Sequence, residues 1–151
     1  VVFGMQESDV ELALKQPWVS IDTDYEGTSP DGLLGKDRPH PRAYGTFPRI
    51  LARYAREQKL LALPDAIRKF SALAAQREHL TDRGVLKQGM WADIVVFDPD
   101  TIRDVATFTD PNRLSVGMQY VLVNGVPVID GGKMTDALPG VVLRGPAYSG
   151  R

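Results

Sequence analysis

Apolar residues at the start of the chain change their spacing in a way that predicts a strand, a helix and a second strand. Residues 1–3 form a short apolar run that suits a buried strand. Ser8 and Glu11 have the spacing of a capping box, and the helix that they would begin ends before Pro17. Residues 18–24 start apolar and end in carboxylates, which fits a second strand. This order predicts a βαβ unit of a parallel sheet covered by helices.

A long polar segment separates this unit from the next helical pattern. Residues 25–42 are rich in Gly, Pro and Asp and have no apolar period, so they are predicted to form a loop. Loops longer than about 12–15 residues in compact domains are usually functional or disordered. Helical spacing returns near Phe47, and Ile50, Leu51 and Tyr54 then share one face.

A second helix is predicted to start at Pro64-Asp65. Proline fits the first helical position, and an aspartate suits the positive end of the helix dipole. The predicted buried stripe of this helix consists of Ala66, Ile67, Phe70 and Leu73.

The pattern changes again at residues 81–84, beyond which short β-type runs replace the helical spacing. These runs cover residues 92–97, 120–123 and 126–129. Asn124-Gly125 lies between the last two and predicts a hairpin turn, because both positions tolerate positive φ. We therefore divide the chain into an α/β piece, residues 1–80, and a small β piece, residues 81–151.

Composition and charge exclude several kinds of partner. The 151 residues carry 18 basic and 19 acidic side chains, so the formal net charge is −1. A surface without an excess of one sign does not gather nucleic acid or an anionic membrane, and we expect neither partner. The chain has no cysteine, which excludes disulfides and thiolate metal ligands. We find neither a signal-peptide pattern nor an apolar run long enough to span a bilayer, and we expect a cytoplasmic protein.

Two carboxylates at the end of the second predicted strand are candidates for acid–base chemistry. Asp22 and Asp24 are two residues apart, so in a strand their side chains point to the same face. In barrels of alternating strands and helices, catalytic residues lie at the C-terminal ends of strands. A carboxylate there can accept a proton from metal-bound water and pass it to a leaving nitrogen. The alternative is that one or both carboxylates only cap the next turn.

The segment HPRAYGTFPR, residues 40–49, is the most unusual stretch of the chain. Two Pro-Arg pairs flank aromatic residues and a glycine where the long loop rejoins a helix. An arginine fork matches a carboxylate through two parallel hydrogen bonds, so Arg42 or Arg49 is a candidate substrate clamp. Spacing alone favours the alternative that these arginines pair with loop aspartates such as Asp31 or Asp37.

Histidine is too scarce to build a metal centre from this sequence. His40 and His79 are the only 2 histidines. A histidine metal site needs three or more converging ligands with further residues supporting them. We therefore expect no complete metal site and no tightly bound zinc from this chain alone.

Two motifs in order give the chain a resemblance to a known family. HPRAYGTFPR follows an aspartate at a predicted strand end, and residues 89–99 read GMWADIVVFDP. Together they resemble the C-terminal region of the N-acyl-D-amino-acid deacylases, or D-aminoacylases, of the amidohydrolase superfamily. The first motif is specific to the deacylases, whereas the second occurs across the superfamily. The resemblance runs from Val1 to the LRGP near the end of the chain.

The resemblance implies an α/β fold followed by a β part. Residues 1–80 would form the last strand-helix units of a (β/α) barrel, and residues 81–151 would form part of a small β-sandwich. Val1 aligns with the start of the seventh barrel strand, so we expect the sequence to begin inside the barrel of a longer enzyme. In that enzyme the metal, zinc, is held by residues on earlier strands, which would lie upstream of Val1.

The resemblance also implies roles for individual residues. Asp24 would act as general acid and base on metal-activated water, and Arg42 would bind the α-carboxylate of an N-acyl-D-amino acid. Asp22 stands where relatives more often have glycine and receives no catalytic role. Tyr25 replaces a common glycine next to the catalytic aspartate, which could alter the rim of the pocket. Ala74 replaces a common proline and is expected to affect helix packing only.

Three readings of function remain open at this point. In the first, the chain is part of a deacylase and is inactive by itself. In the second, it is a non-catalytic folded module that packs through its β half or self-associates, since residues 1–3 and 18–23 would expose apolar strand edges. In the third, it belongs to another amidohydrolase, similar to dihydroorotases or hydantoinases. The HPRAYGTFPR motif argues against the third reading.

Overall fold

The computed structural model describes residues 4–145 and 147–149. Within these residues a group of helices precedes a four-stranded antiparallel sheet. The strand predicted at residues 1–3 lies outside the described residues. No helix in the described part of the chain is both long and apolar enough to cross a membrane.

Helix α1 spans Glu7–Lys15 and begins earlier than the sequence pattern predicts. The residue before the helix is Gln6, whose backbone N–H donates to the Asp9 carboxylate at 3.1 Å. The predicted capping box of Ser8 and Glu11 is therefore wrong, because Ser8 already lies inside the first turn. Asp9 takes the reciprocal role three residues after the cap, where a carboxylate also suits the positive end of the helix dipole.

Residues 18–24 form no strand, so the second strand predicted for the βαβ unit is wrong. A strand requires a neighbour whose N–H and C=O groups pair with its own. No strand within the described residues lies beside this segment. Its backbone bonds instead to a later helix, and the N–H of Ile21 donates to the C=O of Lys69 at 3.2 Å.

The long loop ends at a helix that starts earlier than its apolar period indicates. Within the loop a short 3₁₀ helix covers Leu33–Lys36. Helix α2 spans Arg42–Arg49 and continues as a π-helix over Ile50–Glu57, rather than starting near Phe47. Pro41 precedes α2 with φ −51°, a value that the proline ring imposes and that already suits a helix.

The second helical pattern produces two short helices instead of one. Helix α3 spans Leu63–Phe70 with Pro64 in its first turn, as the sequence predicts. Helix α4 spans Ala72–Arg77 after a break at Ser71, where φ is −127° and ψ is −89°. The predicted stripe is buried or half-buried at all four of its positions, Ala66, Ile67, Phe70 and Leu73.

The β piece forms an antiparallel sheet in the order β1-β2-β3-β4. The strands are β1 (Ile94–Phe97), β2 (Met118–Val123), β3 (Val126–Asp130) and β4 (Lys133–Met134). The predicted hairpin is confirmed, since β2 and β3 pair and the turn residues Asn124 and Gly125 have φ of 50° and 82°.

Helices and sheet contribute to one apolar core. Its buried members are Leu14, Ile50, Leu51, Tyr54, Leu61, Ala66 and Ile102, with Phe97 and Met118 among the half-buried side chains packed against them. Ile102 follows β1 and is fully buried. Gly117 lies against it with φ 92°, and a Cβ there would come within 2.5 Å of the Ile102 Cα, so only glycine fits. The division of the chain at residues 80 and 81 stays a prediction.

Candidate functional site

Asp24 ends the segment that leads from α1 into the long loop. Its φ is 49°, in the left-handed region that non-glycine residues adopt infrequently. Just before it, the Thr23 hydroxyl donates to the backbone C=O of Tyr25 at 3.3 Å, which bends the chain around Asp24. The Asp24 side chain is 82% exposed, so its carboxylate faces open space where the loop begins.

Arg42, the first residue of α2, binds Asp24 with two groups of its guanidinium. Its Nη2 lies 2.8 Å from Oδ2 of the Asp24 carboxylate, and its Nε donates to the Asp24 backbone C=O at 3.2 Å. The structure therefore joins the two residues to which the family resemblance gives roles. The ion-pair partner of Arg42 is thus Asp24, rather than the loop aspartates Asp31 and Asp37 considered above.

His40 supports Arg42 from the backbone side. Its Nδ1 accepts a hydrogen bond from the Arg42 backbone N–H at 3.1 Å, so the neutral ring carries its proton on Nε2. The ring also meets Phe108 edge-on, with 5.0 Å between ring centroids. Burial lowers the pKa of His40, and the nearby Arg42 guanidinium lowers it further. Both effects favour the neutral form, which is the form that can accept this hydrogen bond.

The other conspicuous residues of the motif HPRAYGTFPR hold α2 against the rest of the molecule. Arg49 pairs with Asp104 at 3.0 Å rather than with a loop aspartate, so its guanidinium is already engaged within the structure. A Cβ at Gly45 would lie 3.0 Å from the Asp104 Cβ, so glycine allows the close approach of α2 to this residue. The Tyr44 backbone C=O accepts from the Ser115 hydroxyl at 2.6 Å. These contacts fix the helix that begins with Arg42.

Hydrogen bonds hold the long loop near its start and again in its second half. The hydroxyls of Thr28 and Tyr44 lie 3.1 Å apart and share a hydrogen bond. Further along, the Asn112 side-chain amide donates to the backbone C=O groups of Gly35 and Asp37 at 2.6 and 3.1 Å. The loop therefore has defined contacts beside the Asp24–Arg42 pair.

The remaining polar candidates do not join this pair. The Asp22 carboxylate accepts the backbone N–H of Thr23 at 2.6 Å, a local bond that fits the capping alternative for this residue. His79 has φ 56° just after α4, beside a surface depression that it lines with Leu80 and Met90.

The residues in hand do not fit a metal ion. No group of three or more His, Cys, Asp or Glu side chains comes together within residues 4–145 and 147–149. The charged group beside the Asp24 carboxylate is the guanidinium of Arg42, whose positive charge repels a metal cation.

One buried charge was missed by the sequence analysis. Lys69 is fully buried in α3, although lysine is almost never fully buried in proteins. A signal for it exists, because Lys69 lies three residues after Ala66 and four before Leu73, on the buried helical stripe.

Residues 11–129 match the sequence profile of the amidohydrolase family. This match covers most of the chain, and the chain belongs to that family. The resemblance inferred from the motifs is therefore confirmed.

Within this family, curated deacylases from Alcaligenes xylosoxydans xylosoxydans are similar to this chain. An N-acyl-D-aspartate deacylase is 41% identical over 143 residues, which is 95% of this chain and 27% of that protein. A D-aminoacylase is 44% identical over 128 residues, 85% of this chain and 25% of that protein. The chain thus spans about a quarter of the length of the curated relatives that it matches.

Solved structures are similar in fold as well. An N-acyl-D-glutamate deacylase from Bordetella bronchiseptica, complexed with zinc and a phosphonate mimic of the tetrahedral intermediate, superimposes with a TM-score of 0.73. It is 44% identical, and the match covers 82% of this chain and 25% of that one. A D-aminoacylase with a binuclear metal centre gives a TM-score of 0.78 at 39% identity, over 88% of this chain and 27% of that one.

Proposed function

We propose that this chain is the C-terminal portion of a metal-dependent hydrolase that cleaves the amide bond of N-acyl-D-amino acids. The observation that carries the proposal is the contact between Arg42 and Asp24, at 2.8 Å between guanidinium and carboxylate. These residues lie on either side of the long loop, and their contact supports a shared site in which one group would carry the proton and the other would bind a carboxylate. The named activities of relatives that are 41% and 44% identical support the same substrate class.

In this proposal Asp24 moves the proton. Hydrolysis of an amide adds water to the carbonyl carbon and breaks the C–N bond, so one proton must travel from the water to the leaving nitrogen. A carboxylate at the mouth of the loop can accept that proton and deliver it. Asp24 is exposed, its backbone C=O is held by Arg42 Nε, and Oδ2 of its carboxylate is paired with Arg42 Nη2, so the proton exchange would use the other carboxylate oxygen, Oδ1.

Arg42 is proposed to anchor the substrate's α-carboxylate. Its guanidinium engages Asp24 through Nη2 and Nε, which leaves further N–H donors of the same fork for a second carboxylate. A planar fork fixes the orientation of a carboxylate as well as its position. Such an anchor next to Asp24 would fix which face of the substrate is turned towards the Asp24 carboxylate. The site would thereby select one enantiomer of the N-acyl amino acid.

The metal is proposed to be zinc, held by residues that are not in this chain. The relative from Bordetella bronchiseptica was solved with zinc. When bound, the metal would polarise the amide carbonyl and stabilise the charge that develops on its oxygen. The described residues do not assemble ligands for it.

We further propose the architecture and setting that go with this activity. Residues 1–80 would close the end of a (β/α) barrel and residues 81–151 would form part of a β-sandwich, as in the amidohydrolase superfamily. The enzyme would be cytoplasmic and would act on a small molecule, without nucleic acid or membrane partners.

A non-catalytic assembly module is the second candidate, and the apolar side chains exposed on the sheet are compatible with it. The sheet exposes large apolar side chains, with Val95 at 50%, Val96 at 46% and Tyr120 at 43% of their surface. Val96 and Tyr120 are cross-strand partners on one face of the sheet and Val95 lies on the opposite face. Exposed apolar side chains grouped on a sheet mark an interaction surface. The same surface is expected in the first proposal, where the remainder of the enzyme would cover it, so it does not favour the second over the first.

The test is a substrate panel for the enzyme that contains this chain. N-acetyl-D-amino acids, their L enantiomers, dihydroorotate and hydantoin are each assayed for hydrolysis with zinc present. The proposal expects release of amino acid from the linear D substrates and little turnover of the others. Preferential opening of the cyclic amides would replace the proposal with the third reading, and no turnover of any substrate would favour the assembly module.

A further inference from the structure

Three cationic side chains of α3 and α4 donate to consecutive backbone carbonyls just after α1. Lys69 Nζ donates to the C=O groups of Gln16 and of Val19, the latter at 3.3 Å. Arg68 Nη2 donates to the C=O of Pro17 at 2.9 Å, and Arg77 Nη2 donates to the C=O of Trp18. We call Arg68, Lys69 and Arg77 the carbonyl clamp.

Lys69 is the central member of the clamp, and its environment is unusual for a lysine. The side chain is 0% exposed, and burying an ammonium is costly unless its N–H groups are bonded. Asp65 acts on this ammonium through its charge, while its Oδ1 accepts hydrogen bonds from the Nε and Nη2 of Arg68 at 3.0 and 2.9 Å. The ammonium donates its hydrogen bonds to main-chain carbonyls instead.

The first carbonyl that receives the clamp, that of Gln16, lies at the C-terminal end of a helix, and the other three belong to the residues that follow it. Helix α1 ends at Lys15, and Gln16 is its capping residue. Unsatisfied carbonyls at such an end carry partial negative charge, which favours cations. Burial lowers the pKa of the Lys69 ammonium, while Asp65 opposes the change. These carbonyl partners explain why a cation remains acceptable at this buried position.

The clamp acts on the segment that carries Asp24. A return bond from the Ile21 N–H to the Lys69 C=O, at 3.2 Å, completes the set, so residues 16–21 are fastened to α3 and α4. Asp24 follows Ile21 by three residues and is held from the other side by Arg42 Nε. No strand pairs with residues 18–24 within the described residues, so the clamp holds the upstream part of this segment together with the Val19 N–H bond to the Gln16 C=O and the packing of Ile21 against the core.

We propose that the carbonyl clamp, through Lys69, positions Asp24 for the proton transfer proposed above. Lys69 touches no substrate and is a positioning residue. This inference rests on the proposed function, because it assigns Lys69 a part in the same reaction. The competing explanation is that Lys69 only fills and stabilises the core.

The test replaces Lys69 by methionine in the enzyme that contains this chain. Methionine has a similar length and flexibility but no donor, so the two carbonyls lose their partner while the volume stays filled. A displacement of about 1 Å in a reacting group can cost roughly a hundredfold in rate. We expect Lys69→Met to lower kcat by about tenfold or more with little change in KM. The exposed Lys87 provides the matched control, and Lys87→Met should leave kcat unchanged.

Two comparisons separate positioning from stability. Leu61→Ala removes a buried core side chain away from the clamp, and kcat is compared at a temperature where both variants are folded. A kcat loss in Lys69→Met no larger than that in Leu61→Ala would overturn the inference. In an Asp24→Asn background, Lys69→Met should have almost no further effect, because a positioning residue acts through the group that it positions. Additive losses would also overturn it.

The remaining outcomes are equally informative. If Lys69→Met does not fold, Arg68→Met removes the half-exposed member of the clamp, and the same cycle with Asp24→Asn decides the question. If Asp24→Asn itself keeps normal kcat, the proposed function fails. If Asp24→Asn is inactive but the clamp variants are not, only the present inference fails.

Discussion

Replacing Arg42 by lysine distinguishes a substrate anchor from a residue that merely fastens the loop. Lysine keeps the positive charge but has no planar fork, so it loses the second parallel donor. In the structure that fork already makes two contacts with one residue, Nη2 to the Asp24 carboxylate at 2.8 Å and Nε to its backbone C=O at 3.2 Å. A substrate carboxylate held in the same manner would lose one charged hydrogen bond in the variant.

The size of the effect follows from that bond. A hydrogen bond to a charged group contributes about 1.5–3 kcal/mol, which corresponds to about tenfold to 150-fold in an equilibrium. The Arg42 side chain is 43% exposed, and solvent weakens such contacts. We therefore take the low end and expect kcat/KM for N-acyl-D-amino acids to fall by about tenfold.

The assay compares each acyl-D-amino acid with its carboxamide analogue, which lacks the carboxylate. The carboxamide is a poor substrate at the start, and Arg42→Lys should affect it much less. Arg49→Lys is the matched control, since it changes the second arginine of the same motif, whose partner is Asp104. Its losses should be equal on both substrates. Equal losses from Arg42→Lys, together with a lowered Tm, would refute the anchor and make Arg42 structural.

Two further predictions concern the chain itself. The 151-residue chain alone, with zinc added, should release no amino acid from N-acetyl-D-amino acids, and elemental analysis should find no stoichiometric zinc. The reason is that its 2 histidines do not converge on a common site. One histidine-bound zinc per chain would contradict this prediction. The pKa of the His40 imidazole is lowered from its ordinary value of 6.5 in the folded chain, so the unfolded chain binds this proton more readily than the folded chain does. The free energy of unfolding should therefore decrease as the pH falls below 6.5. His40→Asn keeps a side-chain acceptor without this titration, so the Tm of the unsubstituted chain should fall more steeply over that range than the Tm of the variant. Parallel Tm profiles would show that His40 does not titrate differently in the folded state.

Local patterns predicted the helices and the hairpin because those elements depend on nearby residues. Pro64 begins a helix and Asn124-Gly125 forms a turn through their own backbone preferences. Residues 18–24 were predicted as a strand from their apolar start. A strand also depends on its neighbours, and no partner strand lies among the described residues, so composition alone gave the wrong element.

The sequence named the candidate site residues but could not predict the contacts between them. The predicted strand end offered Asp22 and Asp24, and the motif HPRAYGTFPR offered Arg42 and Arg49. The family resemblance then selected Asp24 and Arg42. Spacing could not reveal that these two side chains touch, because a long loop separates them and spacing constrains only near neighbours. Lys69 was missed for a different reason. Lysine is almost never fully buried, and the carbonyls that make its burial acceptable become visible only in three dimensions.

The central claim is that Asp24 carries the proton in amide hydrolysis, and one kinetic comparison tests it most directly. Asp24→Asn and Asp22→Asn are each introduced into the enzyme that contains this chain, and kcat and KM are measured on an N-acyl-D-amino acid. General acid–base catalysis contributes about 10²–10⁴-fold, so kcat of Asp24→Asn should fall by that amount with little change in KM. Asp22→Asn, which alters a carboxylate engaged locally with the Thr23 N–H, should keep nearly normal kcat. A near-normal kcat in Asp24→Asn, with the loss appearing in Asp22→Asn instead, would contradict the account.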